Sequence, residues 1–193
     1  SASNVYLAPV TQSGNSPELT LYDIPQAIKT SSTGGVSAIL SMECALWTYN
    51  ITTDLVGGGK SSSSSRAALK AWVEIDGQQM EPGQVTYCDR LQATELEVDL
   101  GCSLTGCQVT GQIALGLFQR TKNANSFTYF KGGLPAIVHS IKVKAQGFIE
   151  CRNNGAPITC PTGIVDGYAD GGTQIAIGAP SLLVEEQQNW GKS

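Results

Sequence analysis

Acid–base chemistry near neutral pH most often uses a histidine, and this chain has one, His139. It lies in an alternating run, on the same strand face as Ile141 and Val143. A histidine on such an apolar face is expected inside the protein, hydrogen-bonded and shielded from any substrate. No Gly-x-Ser-x-Gly motif accompanies it. The sequence therefore predicts a structural histidine in a protein that is not an enzyme and binds no cofactor.

Three carboxylates occupy alternate positions at Glu95, Glu97 and Asp99, which places them about 7 Å apart in succession on one strand face. Carboxylates at such distances can hydrolyse glycosides or bind calcium. A solvated strand face, on which charge opposes aggregation, is the interpretation we favour. A second acidic pair, Asp166 and Asp170, lacks calcium-loop spacing. We therefore assign no catalytic and no metal-binding residue, and a β-sandwich hydrolase is the third functional hypothesis.

A stretch rich in glycine and serine, Thr52–Arg66, contains Gly57-Gly58-Gly59, then Lys60 and five consecutive serines. The ending fits a phosphate-binding loop, but that motif needs a glycine six residues before the lysine, where Asp54 stands. The composition is typical of a flexible linker, with little to bury. We therefore expect an exposed loop that joins two neighbouring strands.

Three aromatic residues, Trp47, Tyr49 and Trp72, lie opposite the apolar rows of the two strands that flank this stretch. If the strands are neighbours, the three rings share one exposed face. Exposed aromatic rings stack on sugars and anchor protein contacts. The alternative is that a second layer covers that face and makes the rings part of the core. The pattern supports a secreted carbohydrate-binding module as the second functional hypothesis.

The six cysteines indicate the compartment, since an even number without any Cys-x-x-Cys motif favours disulfides over a zinc site. Two close pairs fall where alternating runs meet a loop, so each bridge would clamp a hairpin. The remaining pair would close a long loop and tie two sheets together. This predicts an extracellular or cell-surface protein that passed through an oxidising compartment. The predicted pairs are Cys44–Cys88, Cys102–Cys107 and Cys151–Cys160.

The elements that must position these residues are strands. Gly35–Ile51 alternates apolar and polar residues, and Ala136–Cys151 does the same with its isoleucines and valines. Gln26–Lys29 is the one short segment that could form a helical turn. About ten strands with frequent turn signals predict an all-β, single-domain two-sheet β-sandwich over 1–193, jelly-roll or immunoglobulin-like. Residues 1–15 are expected to form a loose N-terminal strand or arm, and residues 187–193 a polar tail.

The composition excludes two classes of partner. Net charge is −4 with no cluster of lysine and arginine, so nucleic-acid binding is not expected. No apolar run approaches the roughly 18 residues that span a bilayer, so the chain is not expected to cross a membrane.

Charged residues make up only 15% of the chain, which lowers the cost of packing copies together. The N-terminal run that includes Val5, Tyr6 and Leu7 could add as a strand to the open sheet edge of a neighbour. The first functional hypothesis is therefore a non-enzymatic structural or adhesive protein, a subunit of a surface assembly or filament. Its expected partners are copies of itself or other surface proteins, with glycans as the alternative.

Overall fold

A computed structural model describes residues 5–7, 13–31, 33–53, 59–98, 114–161, 163–165 and 168–187. Within these ranges the chain forms strands and no helix. The strands are β1 (Val5–Leu7), β2 (Gly14–Asn15), β3 (Leu19–Lys29), β4 (Gly34–Thr53), β5 (Gly59–Ile75), β6 (Gln78–Gln79), β7 (Val85–Val98), β8 (Ala114–Leu134), β9 (Val138–Asn153), β10 (Ala156–Ile158), β11 (Gly163–Val165), β12 (Tyr168–Gly171) and β13 (Gln174–Gln187).

The strands build two antiparallel sheets that pack against each other, which confirms the predicted all-β sandwich. The four-stranded sheet has the order β1-β13-β4-β8. The seven-stranded sheet has β5 at its centre, between β7 and β6 on one side and β9 on the other. On the edge away from β5, β9 pairs successively along its length with β3, β2 and β10. A small separate sheet pairs β11 with β12.

Period-two alternation explains the core. From Val36 to Thr52 the even positions of β4 are buried and the odd positions are half-buried, as the sequence predicts for a strand with one covered face. Strands β5 and β7 pack against β4 from the other sheet, and β9 adds a further buried row beside β5. The apolar core includes Leu40, Leu46, Leu69, Val73, Ile141 and Ile177.

The two sheets are tied by covalent and polar bonds. The Cys44–Cys88 disulfide joins β4 to β7, as predicted. The Tyr87 hydroxyl donates to the Leu40 carbonyl at 2.9 Å, and the Tyr129 hydroxyl donates to the Ala71 carbonyl at 3.0 Å. Each bond links one sheet to the other. Burial raises the pKa of both phenols, and for Tyr87 the contact with Tyr129 raises the pKa further.

Two tight turns end hairpins of the seven-stranded sheet. Asn154-Gly155 joins β9 to β10 and Asp76-Gly77 joins β5 to β6, with positive φ at all four residues. Two-residue hairpins of this kind favour Asn-Gly and Asp-Gly because these residues tolerate positive φ. The Cys151–Cys160 disulfide clamps the first of these hairpins, as predicted. The predicted Cys102–Cys107 bridge lies outside the described residues.

Three expectations about local structure are corrected. The serine run is a strand within β5 from Gly59 onward, since ladders to β7 and β9 hold its backbone on both sides. Residues 54–58 of that stretch lie outside the described residues. The described ends of the two arms around Cys102 and Cys107 do not pair with each other, because β7 pairs with β5 and β8 pairs with β4 in the other sheet. Gln26–Lys29 is the end of β3 rather than a helical turn.

Among the described residues, no helix has the length and hydropathy that crossing a bilayer requires. The described parts of the expected N-terminal arm are β1, β2 and the residue before β2, and both strands are paired with the rest of the chain. Of the expected polar tail, Gln187 ends β13 and residues 188–193 lie outside the described residues.

Candidate binding surface

The outer face of the four-stranded sheet carries an aromatic cluster. Trp47 and Tyr49 point outward from β4 because they occupy its odd positions, and both are half-buried. The β4–β8 register sets Phe118 beside Tyr49 and Arg120 beside Trp47. The Arg120 guanidinium lies over the Trp47 ring, 5.2 Å from its centroid, which is a cation–π contact. We call these four residues the aromatic face.

A shallow hollow of about 90 Å³ lies next to Trp47 on the same face. Small residues of β4 and β13 form its floor, and an ion pair between Lys122 Nζ and Glu43 at 2.8 Å stands on its rim. This volume is far below the roughly 300 to 1,000 Å³ of pockets that enclose a small molecule. The aromatic face is therefore suited to contact with a surface or an extended partner rather than to enclosure of a ligand.

Trp72 does not belong to this face. It lies on β5 in the other sheet and is 1% exposed, so the expectation that it joins Trp47 and Tyr49 is corrected. Its indole Nε1 donates to Glu74 Oε1 at 2.9 Å, and Lys144 Nζ is 3.1 Å from the same carboxylate oxygen. β4 and β5 are consecutive in the chain but belong to opposite sheets, which is why the three rings cannot be coplanar.

The N-terminal strand β1 extends the edge of the four-stranded sheet. It pairs antiparallel with β13 of the same chain, with Val5 opposite Ile177, Tyr6 opposite Ala176 and Leu7 opposite Ile175. Beyond this short ladder, Ser181–Glu185 pair with β4 on one side. No strand pairs with these residues on the other side among the described parts of the chain. Among the described residues, the sheet edge is therefore covered along only a fraction of its length.

His139 is fully buried, as its position on the apolar face predicts. Its Nδ1 is 2.6 Å from Asp76 Oδ2, and its Nε2 is 3.2 Å from Thr30 Oγ1 and 3.0 Å from the Pro135 carbonyl oxygen. In catalytic triads, a hydroxyl, a histidine and a carboxylate that contact one another in this sequence activate the hydroxyl as a nucleophile. Thr30 Oγ1, however, donates to the Pro135 carbonyl at 2.6 Å, and Thr30 is itself 1% exposed. The cluster ties β3, β9 and the β5–β6 turn together and gives a substrate no access.

The acidic candidates are surface groups. Lys60 Nζ lies 3.5 Å from Glu95 and 3.2 Å from Glu97, and all three side chains are more than 60% exposed. Exposed ion pairs of this kind contribute little to stability. Asp99 and Asp166 lie outside the described residues. In the part of the chain that the structure describes, no group of three or more His, Cys, Asp or Glu side chains is placed to hold a metal ion.

Two residues of the aromatic face, Phe118 and Arg120, were not predicted from the sequence. They lie on β8, and only the β4–β8 register brings them beside Trp47 and Tyr49. The alternation of β8 could have placed them together on one face, but pairing with β4 is a long-range contact that sequence spacing does not reveal.

Comparison with known proteins adds no identification. No protein-family model matches the chain, and no curated protein matches it. Among solved structures, a chain of the infectious bursal disease virus Gx strain is similar at 8% identity, over 97% of this chain and 36% of that one, with a TM-score of 0.14. This chain therefore spans about a third of that protein's length. A TM-score this low carries no argument about fold or function.

Proposed function

We propose that the protein is an extracellular structural protein whose copies assemble by exchanging β1. The observation that carries the proposal is the short ladder between β1 and β13 at the edge of the four-stranded sheet. An exposed edge strand is a template for another strand, and β-strand addition is a common way to join protein chains. Because exchange replaces each contact with the same contact in a neighbour, it costs little free energy.

The chain geometry limits how far such an exchange can reach. Residues 8–13 connect β1 to β2, and β2 pairs with β9 in the other sheet. Six residues span at most about 20 Å when fully extended. A neighbour that receives β1 must therefore bring its own β13 edge within that distance, which implies close side-by-side packing of copies. The two described disulfides are compatible with an oxidising, extracellular environment.

The test mixes two variants that each carry one added cysteine beside the six native ones. Tyr6 and Ala176 are register partners, so Tyr6→Cys in one copy and Ala176→Cys in another can form a disulfide only after exchange. We expect a covalent dimer of the two variants on non-reducing gels. Leu183→Cys in place of Ala176→Cys is the matched control, since Leu183 lies on the same strand outside the β1 ladder. The proposal would be contradicted if a chain with both Tyr6→Cys and Ala176→Cys forms the disulfide internally while the two separate variants form no mixed dimer.

A truncation tests whether exchange drives assembly. Deletion of residues 1–12 removes β1 and leaves both disulfides that tie the sandwich. We expect folded monomers that no longer associate, measured by light scattering and negative-stain imaging. Assemblies of unchanged size after the deletion would show that another surface joins the copies.

The aromatic face favours glycan binding as a second candidate function. Trp47 and Tyr49 lie side by side on an outer sheet face together with Phe118 and Arg120. An array of rings on a flat sheet can stack on the apolar faces of successive sugar units. We expect Trp47→Ala to abolish binding on a glycan array without lowering the melting temperature. A large fall in melting temperature would instead assign the ring a packing role.

A further inference from the structure

One end of the sandwich has a polar interior. There, inward-facing positions of three strands from both sheets carry hydroxyl and amide side chains instead of apolar ones. All of these residues are at most 9% exposed. We call them the polar interior, and they are Thr48, Asn50 and Thr52 of β4, Ser61, Ser63 and Ser65 of β5, and Gln92 and Thr94 of β7.

Part of the polar interior is satisfied by hydrogen bonds between the sheets. Thr48 Oγ1 donates to Gln92 Oε1 at 2.7 Å, and Asn50 Nδ2 donates to the Gln92 carbonyl at 2.9 Å. The hydroxyls of Thr52 and Ser63 are 2.5 Å apart. Asn50 and Thr52 belong to the sequence Asn-Ile-Thr, a potential glycosylation site. Because the Asn50 amide is buried and bonded, the folded protein leaves no room for a glycan there.

Six buried side-chain polar atoms have no hydrogen-bond partner among the described residues, and three of the six belong to the polar interior. These three are Asn50 Oδ1, Ser65 Oγ and Gln92 Nε2. Their residues are 2%, 0% and 6% exposed, so bulk water cannot satisfy them. Each such atom left without a partner destabilises the folded state by an amount that is large beside the small net stability of a whole domain. Three together in one interior therefore point to a bound molecule.

The three atoms define what that molecule must be. Asn50 Oδ1 only accepts hydrogen bonds, Gln92 Nε2 only donates them, and Ser65 Oγ does both. A hydroxyl group also does both, so its donor and acceptor capacity matches all three. The three side chains that bear these atoms are neutral, so none of them offers an opposite charge to a charged molecule, and an apolar molecule would leave the atoms unsatisfied.

We propose that the polar interior is a binding site for small uncharged molecules that carry a hydroxyl group, of which water is the smallest. Buried water commonly satisfies such atoms, usually with about three hydrogen bonds each. The site is built from β4, β5 and β7, whereas strand exchange uses β1 and β13. The proposal therefore goes beyond the proposed function and does not depend on it.

The test is Ser65→Ala, because the Ser65 hydroxyl makes no hydrogen bond within the described parts of the chain whose loss could confuse the result. We expect the variant to lose one long-lived internal water in oxygen-17 relaxation dispersion and to melt about 2 to 4 °C lower. The matched control is Ser64→Ala, which removes the adjacent half-exposed hydroxyl on the opposite face of β5 and should change neither quantity. An equal or higher melting temperature with the same number of long-lived waters would overturn the proposal, since removing an unsatisfied hydroxyl from a dry core is neutral or stabilising.

A second measurement identifies the occupant. Nuclear Overhauser cross-peaks from the side-chain amides of Asn50 and Gln92 are recorded in water and again with ethylene glycol added. Cross-peaks to water alone identify water as the occupant, and cross-peaks to ethylene glycol show that the site accepts a larger hydroxylated molecule. Both results support the proposal. The absence of cross-peaks to either molecule contradicts it.

Discussion

Asp76 carries most of the polar contacts that hold the β5–β6 turn against β9. Its Oδ2 is 2.6 Å from His139 Nδ1, and its Oδ1 accepts from the Ser140 backbone N–H at 2.9 Å. Burial acts to raise the pKa of Asp76, but the hydrogen bonds from His139 and Ser140 outweigh it, and the pKa is lowered from 3.8. The ionised carboxylate is therefore stabilised by folding.

The Asp76→Asn variant should lose this pH-dependent stability. Because the folded pKa lies below the unfolded value of 3.8, the carboxylate stabilises the protein above that pH and stops doing so as the pH falls through the folded pKa. Asparagine tolerates the positive φ of 49° at this position, so the turn is kept. We expect a loss on the order of 1 kcal/mol at neutral pH, since the half-exposed group is screened by solvent, and a flatter melting-temperature profile between pH 2 and 5.

Asp23→Asn provides the comparison for this prediction. Asp23 is an exposed carboxylate 3.0 Å from Lys142 Nζ on the same sheet. Exposed pairs contribute at most about 1 kcal/mol, so its profile should stay close to that of the parent protein. If Asp76→Asn and the parent protein lose stability in parallel as the pH falls, the contacts of Asp76 do not contribute to the pH dependence of stability in acid.

For individual residues, the sequence predicted the face of the strand on which each side chain lies, but not which other part of the protein covers that face. The burial of His139 and the outward position of Trp47 follow from alternation alone. Trp72 is the exception, since it is 1% exposed although Lys70 and Glu74, two residues away on the same face of β5, are exposed and half-buried. The partners Thr30 and Asp76 were also out of reach, because they are more than 60 residues from His139 in sequence.

At the scale of elements, the packing of β4 against β7 depends on Tyr87. Its ring is buried and lies edge-on to Phe127 of β8, with centroids 4.9 Å apart. Its hydroxyl spans the sandwich to the Leu40 carbonyl of β4. A single residue thereby combines ring packing with a hydrogen bond between the sheets.

Tyr87→Phe separates these two contributions, because phenylalanine keeps the ring and removes only the hydroxyl. We expect a loss of about 0.5 to 1.5 kcal/mol in the free energy of unfolding, measured by urea denaturation with an unchanged m-value. Tyr49→Phe, on the outer aromatic face, is the matched control and should change stability by less than about 0.5 kcal/mol. Equal effects at the two positions would mean that the bond between the sheets adds nothing to stability.

The elements themselves were predicted where apolar alternation is present. The long strands β4 and β9 were expected within two residues of their observed bounds. The serine run of β5 was missed because a uniform polar sequence shows no alternation, even though Ser61, Ser63 and Ser65 face inward and Ser62 faces outward. Composition predicted a loop there, and pairing with strands on both sides overrode it.

At the scale of the whole molecule, the two described disulfides act on loops of different length. Cys44–Cys88 joins the sheets and closes 44 residues of sequence separation, whereas Cys151–Cys160 closes 9 within one hairpin. The chain-entropy model gives the longer loop the larger stabilisation, roughly 4 kcal/mol against about 2.5. The position of each bridge adds to this difference, since Cys44–Cys88 joins the two sheets whereas Cys151–Cys160 stays within the β9–β10 hairpin.

The double variant Cys44→Ala/Cys88→Ala should therefore lose more stability than Cys151→Ala/Cys160→Ala. We expect it to lose roughly 4 kcal/mol and to melt at least 8 °C below the parent protein, with Cys151→Ala/Cys160→Ala falling about half as far. Calorimetry under non-reducing conditions measures both, and intact-mass analysis confirms that the remaining bridges persist. Equal losses would mean that local strand pairing, rather than the length of the closed loop, governs what each bridge contributes. The larger contribution of Cys44–Cys88 matters for the proposed exchange of β1. This bridge holds β4 against β7, so the sheet that receives a strand stays in place while its own β1 leaves.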